Sequence, residues 1–142
     1  LCASFGDEIK VGDSIYYSFP SAERLAALEP DDLAGIRSGY RAEYMICAAR
    51  SVVNGDIDLE ELKKCDYRQA IKALRTVRGV GEKVANCVVL FGLYHMEAFP
   101  IDVWMKRALK EHFPADFDPT SLGAYAGLAQ QYIFYYSRSG GK

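Results

Sequence analysis

The run Leu74-Arg75-Thr76-Val77-Arg78-Gly79-Val80-Gly81-Glu82-Lys83-Val84-Ala85-Asn86-Cys87 places two glycines, one residue apart, between two segments of helical periodicity. Upstream, Tyr67, Ala70, Ile71, Leu74 and Val77 recur at helical spacing behind Asp66, a natural N-cap, and predict a helix over 67–77. Downstream, residues 82–94 are apolar on nearly every side from Val84 onward, the pattern of a helix at the centre of a fold. The glycines permit a tight turn and a close backbone approach. Because the second helix starts at once, the unpaired amides of its first turn point outward with the positive end of the dipole behind them, which suits a phosphate. An ordinary helix–turn–helix corner uses glycine in the same way, so the two readings stay level on these residues alone.

Outward from the hairpin the chain reads as helical almost throughout. Ser21 can cap a helix over 22–28, Pro30-Asp31-Asp32-Leu33 starts a short turn, and residues 41–53 form an amphipathic helix stopped by Asn54-Gly55. Asp58 can cap residues 59–64, Asp102 opens 103–113, and Asp118-Pro119-Thr120-Ser121 leads into a last helix over 122–137. Ile15-Tyr16-Tyr17-Ser18-Phe19 is the one β-branched or alternating run and is too short to predict a sheet. The tail from Ser139 to Lys142 reads as flexible.

The 142 residues make about one domain, half of them apolar and a quarter charged, which excludes disordered and collagen-like classes. The longest apolar stretch, 84–94, falls short of the roughly 20 residues that cross a bilayer. No membrane partner is expected. The chain opens on Leu1 without a signal-peptide pattern and reads as a piece of something longer. Cys2, Cys47, Cys65 and Cys87 are scattered without a C-x-x-C pair and read as reduced cytosolic thiols rather than metal ligands.

The net charge of −2 hides an uneven distribution. Residues 63–83 hold Lys63, Lys64, Arg68, Lys72, Arg75, Arg78 and Lys83 against only Asp66 and Glu82, while residues 1–62 carry twelve acidic against five basic groups. The basic stretch is either a nucleic-acid footprint or a solvated helix face. Lys83 stands two residues beyond Gly81. In the first turn of a helix the dipole disfavours a cation, and Arg75 or Arg78 would add to that if close, so a free nucleophilic amine is favoured. Its alternatives are a solvated lysine or a phosphate contact; for Asp102 the alternative is a plain helix cap.

Together with Ala98-Phe99-Pro100-Ile101-Asp102-Val103-Trp104-Met105, Gly39-Tyr40-Arg41-Ala42-Glu43-Tyr44 and Tyr125-Ala126-Gly127-Leu128-Ala129-Gln130-Gln131-Tyr132-Ile133-Phe134, the hairpin run resembles the helix–hairpin–helix DNA glycosylase superfamily, and within it the 8-oxoguanine DNA glycosylase family. The likeness covers essentially the whole chain. It implies an all-α helical domain over residues 1–138 that contains a helix–hairpin–helix motif and lacks the family's N-terminal β-domain, with 139–142 as a flexible tail.

The resemblance further implies a base-excision repair enzyme that removes 8-oxoguanine from duplex DNA by base flipping, with an associated lyase activity at the abasic site. Lys83 would attack the sugar C1′ and form a Schiff base that leads to β-elimination, and Asp102 would stabilise the cationic sugar. Gln130 would hydrogen-bond the flipped base between Phe134 and Cys87. Tyr40 would wedge beside the vacated stack and Arg41 would read the opposite base, while Arg78, Gly79, Val80 and Gly81 would meet the DNA backbone. Backbone carbonyls of Arg75, Val77 and Val80 match a structural site for a monovalent or divalent cation; no cofactor is required. The implied partner is double-stranded DNA containing oxidised guanine, the state a monomer, and the location cytoplasmic at a bacterial nucleoid or, in a eukaryote, nuclear. Two positions depart from the family pattern: Arg78 replaces a usual proline, and Trp104 stands where mammalian-type members have histidine. A glycosylase for another damaged or mismatched base, and a non-catalytic DNA-binding module, are the rival readings.

Overall fold

The computed structural model describes residues 1–139. They form two compact units, Leu1–Asp58 with Val77–Gly79, and Leu59–Thr76 with Val80 onward.

The first unit opens with α1 (Cys2–Phe5), β1 (Glu8–Val11) and β2 (Ser14–Tyr17), followed by α2 (Ala22–Ala26), a 3-10 turn over Pro30–Ile36 and α3 (Arg41–Val53). The expectation of no sheet is corrected here: β1 and β2 pair antiparallel, with Glu8 opposite Tyr17 and Val11 opposite Ser14. A two-residue turn makes this possible, with Gly12 supplying a φ of +59°. The ladder continues past the strands, since Ser18 donates its amide to the Asp7 carbonyl at 2.9 Å. All eight strand residues are exposed, so the hairpin rests on pairing and not on a buried face.

Packing in this unit centres on Leu25, Leu28, Leu33, Ala42, Ile46 and Ala49, presented by α2, the 3-10 turn and α3. Ser21 caps α2 by accepting the Arg24 amide at 3.2 Å, and α3 occupies the range its periodicity predicts. Ile46 is almost fully buried; truncation to alanine there costs about 2–5 kcal/mol.

The second unit holds α4 (Leu59–Leu62), α5 (Tyr67–Leu74), α6 (Glu82–Phe91), α7 (Val103–His112), a 3-10 turn over Pro119–Tyr125 and α8 (Ala126–Arg138). Asp66 caps α5 by accepting the Arg68 amide at 2.9 Å. All five helices are shorter than expected, α4 and α7 by only two residues and one. The α5 helix stops at Leu74, before Val77. The end of α6 widens as the amides of Gly92 and Leu93 both reach the Val88 carbonyl, at 2.8 and 3.1 Å, and Tyr94 turns left-handed at φ +63°. The last helix begins at Ala126 instead of Leu122, because Gly123 at φ +71°, ψ −151° breaks it.

Ala70, Leu74, Ala85, Val89, Leu90, Leu93, Ala98, Met105, Ala108 and Ala126 form the buried apolar set among the described residues of this unit. The α8 backbone comes close to the segment before α7: the Gly127 amide donates to the Met96 carbonyl at 2.7 Å, and a Cβ at Gly127 would lie 2.4 Å from Leu90 Cδ1 and 2.6 Å from the Ala98 carbonyl oxygen. Ser139 closes α8, its amide on the Tyr135 carbonyl at 2.9 Å; of the expected flexible tail, residues 140–142 lie outside the described residues. Among the described residues no helix is long and apolar enough to cross a membrane.

Candidate active site

The two hairpin glycines do different work. Gly79 has φ +85°, and a Cβ on it would fall 2.3 Å from Cγ of Tyr44, so both its backbone conformation and its neighbour require glycine. Gly81 is the extended N-cap of α6 and accepts the Ala85 amide at 2.9 Å, with open space where a Cβ would be. Lys83 therefore falls in the first turn of α6, where it is exposed.

In the second unit, Lys83, Asp102, Gln130 and Phe134 line one cavity of about 160 Å³, together with Phe91, Pro100 and Gln131. Four residues separated by up to 51 positions thus meet at one place. Asp102 caps α7, its Oδ1 accepting the Met105 amide at 2.8 Å, so the carboxylate is fixed by the backbone while it faces the cavity. Gln130 is buried, with Nε2 donating to the Pro100 carbonyl at 3.1 Å and Oε1 accepting from Gln131 Nε2. Both ends of its carboxamide are engaged, so an incoming hydrogen-bonding ligand must exchange with these partners.

Cys87, expected opposite Phe134, is half-buried and is not in the cavity wall. Phe91, which sequence reasoning passed over, takes a place there. Its signal was legible: Lys83, Cys87 and Phe91 are spaced by four and share one face of α6.

Tyr40, Arg41, Arg78 and Gly79 belong to the first unit, around the start of α3. The Arg41 guanidinium lies 5.4 Å from the Tyr40 ring centroid, the rings of Tyr40 and Tyr44 meet edge-on at 5.8 Å, and Arg78 Nη1 is 2.5 Å from Glu43 Oε1. Tyr40 is 73% exposed, as Tyr94, Tyr132 and Tyr135 nearly are, and its ring is open to an external contact.

The basic stretch is largely neutralised by its own fold. Lys63, Lys64, Arg75 and Arg78 pair with Glu60, Glu61, Glu82 and Glu43 respectively, which leaves Arg68, Lys72 and Lys83 outside these ion pairs. Arg68 stands on the Tyr67 ring beside a further cavity of about 300 Å³ that also includes Asp118. The hydroxyl and amide of Thr120 hold the Asp118 carboxyl below its ordinary range. No group of three or more His, Cys, Asp or Glu side chains with metal-holding geometry occurs among the described residues.

No family model matches the chain. Among curated proteins it is 40% identical over 100 residues to a DNA-3-methyladenine glycosylase of Bacillus subtilis, a match covering 70% of this chain and 33% of that protein. It is 32% identical over 120 residues to a probable N-glycosylase/DNA lyase of Methanothermobacter thermautotrophicus, covering 78% and 38%. Among solved structures, the Clostridium acetobutylicum 8-oxoguanine glycosylase/lyase in complex with double-stranded DNA containing cytosine opposite 8-oxoguanine superposes with a TM-score of 0.86 at 29% identity, covering 99% of this chain and 52% of that one. The chain spans about a third of the length of these curated relatives and about half of the solved one. With a predominantly helical fold shared at that level and relatives of this kind, the chain belongs to the helix–hairpin–helix DNA glycosylase superfamily, where it is similar both to N-glycosylase/DNA lyases of the 8-oxoguanine type and to a 3-methyladenine glycosylase.

Proposed function

We propose that the protein containing this chain excises oxidised guanine, 8-oxoguanine, from duplex DNA and then cleaves the strand at the abasic site. The observation that carries this reading is the convergence of Lys83, Asp102, Gln130 and Phe134 on one cavity. The volume suits a single planar base, being below the roughly 300–1,000 Å³ of pockets for drug-sized ligands.

In this mechanism the target nucleotide leaves the stack and its base enters the cavity against Phe134, with its edge on the Gln130 carboxamide. As the bond between C1′ and the base breaks, the base departs with the electron pair and positive charge develops on the sugar, which the Asp102 carboxylate stabilises. The Lys83 amine forms the new bond to C1′ and sheds a proton; the C1′–O4′ bond then breaks, the ring oxygen takes its electron pair and a proton, and the nitrogen becomes an imine. Loss of a proton from C2′ then expels the 3′ phosphate by β-elimination. Arg41 and Tyr40 face the opposite strand and the vacated stack, while Arg78, Gly79, Val80 and Gly81 meet backbone phosphates. The carbonyls of Arg75, Val77 and Val80 offer a hard, uncharged donor set for a cation there. The protein acts as a monomer where DNA is found, at a nucleoid or in a nucleus.

Lys83→Gln tests the chemistry: in the intact protein it should abolish borohydride trapping on an 8-oxoguanine duplex while largely preserving binding. Undiminished trapping would remove the assignment. A second reading, excision of an alkylated base without lyase chemistry, is favoured by the 40% identity to the Bacillus subtilis enzyme, and it predicts no trapped adduct on any duplex.

A further inference from the structure

Beyond the cavity and the hairpin, the second unit carries a group of cations that its own carboxylates do not neutralise. Trp104 follows the Asp102 cap by two residues in the first turn of α7. Two guanidinium groups lie against its ring: Arg107 Cζ is 5.2 Å from the ring centroid and Arg138 Cζ, from the last turn of α8, is 4.9 Å away. Among the described residues neither arginine forms an ion pair, in contrast to Arg50, Arg75 and Arg78. The indole is 40% exposed. The helices connect this region to the cavity: Trp104 follows the cavity residue Asp102 by two positions on α7, and Arg138 follows the cavity residue Phe134 by one turn on α8.

An aromatic face steadies a guanidinium through its ring quadrupole without consuming its N–H donors. Two such groups on one indole, neither in an ion pair among the described residues, offer the charge and the N–H donors that a phosphodiester accepts. An exposed indole beside them adds an apolar surface for the sugar or an unstacked base. We propose that Arg107 and Arg138, held against Trp104, form a phosphate clamp on the DNA strand whose target nucleotide enters the Lys83 cavity. This rests on the DNA-excision reading and adds residues to it: the clamp places the backbone beside the pocket, where the basic stretch at 63–83 is mostly paired internally.

Trp104 is the one tryptophan of this chain, and the difference between the protein and its Trp104→Phe variant isolates its emission. The experiment titrates the protein with an undamaged duplex and with the same duplex carrying an abasic-site analogue, across a potassium chloride series, following Trp104 emission and the anisotropy of labelled DNA. Trp104 emission should change and saturate together with the anisotropy. Arg107→Gln and Arg138→Gln should each make the salt slope of binding shallower by about one unit on both duplexes, and Arg→Lys at either position should restore most of that slope. Trp104 emission that stays constant at saturating DNA overturns the clamp. So do glutamine variants with an unchanged slope, including variants that merely melt earlier, which would make the cluster a brace between α7 and α8. If these results come with lysine-dependent trapping intact, the clamp alone fails; if the wild-type protein neither binds nor traps, the excision reading fails and the clamp falls with it.

Discussion

Arg50 and Lys83 are both long cations on helices, one in the last turn of α3 and the other in the first turn of α6. The fold ties down the first. Arg50 donates Nε to the Ala26 carbonyl and Nη2 to the Leu28 carbonyl, both at 2.9 Å, and pairs with Glu29 at 2.8 Å, so it ties the end of α2 to α3. Lys83 is exposed, lines a cavity, and is absent from the ion pairs of the basic stretch. A cation whose donors are spent on backbone carbonyls is structure; one left facing a cavity beside a fixed carboxylate is available for chemistry.

The largest expected effect separates the two outright. Lys83→Gln removes all trapping yet shifts stability by no more than about 0.5 kcal/mol, since an exposed side chain without partners is exchanged. A marked drop in melting temperature would place Lys83 in the same class as Arg50. Next is Asp102→Asn. Asparagine caps a helix as well as aspartate does, so α7 should persist while base excision falls about 10²-fold or more for want of the charge. A loss below tenfold, measured by single-turnover excision, would leave Asp102 as a cap only.

Arg50→Ala should do the opposite of Lys83→Gln. Stability falls by about 1–2 kcal/mol, mostly from two carbonyls losing their donor and less from the exposed ion pair, whereas trapping per folded molecule is unchanged. Chemical denaturation alongside trapping reads both. The smallest effect concerns pH. Because the Thr120 hydroxyl and amide lower the Asp118 carboxyl, its contribution is present above the ordinary carboxylate range and is lost as pH falls through the lowered value. Thr120→Val should flatten that acid limb slightly and leave melting near neutral pH little altered; an unchanged acid limb would remove Asp118 from the stability account.

Elements defined by local chemistry were legible before any coordinates. The α3 range follows from its apolar spacing, α2, α5 and α7 follow from the caps at Ser21, Asp66 and Asp102, and the hairpin glycines mark the turn before α6. The β-hairpin was not legible, because its exposed strands carry no one-sided burial pattern and its turn is the single pair Gly12-Asp13. Nor was the delayed start of α8, where Gly123 breaks a segment whose composition still favours helix. In the candidate site, Lys83, Asp102, Gln130 and Phe134 came from motif likeness, and the cavity joins all four. The pairing of Arg78 with Glu43 spans 35 positions and has no local signature, so the basic stretch looked freer in the sequence than it is.

The close approach at Gly127 makes the cavity depend on a side chain that does not exist. One turn beyond it, Gln130 reaches the Pro100 carbonyl, while Gly127 itself is bound to Met96, so α8 is stitched twice to the strand of chain that delivers Asp102. A single methyl at 127 has no room against the Ala98 carbonyl oxygen and Leu90. Helix and loop must part to admit it, and the carboxamide at 130 moves with them, on a scale at which misplacement of about 1 Å can cost 10²-fold in rate. In a screen for lost activity, position 127 will therefore score beside the reacting groups although it carries no group that reacts.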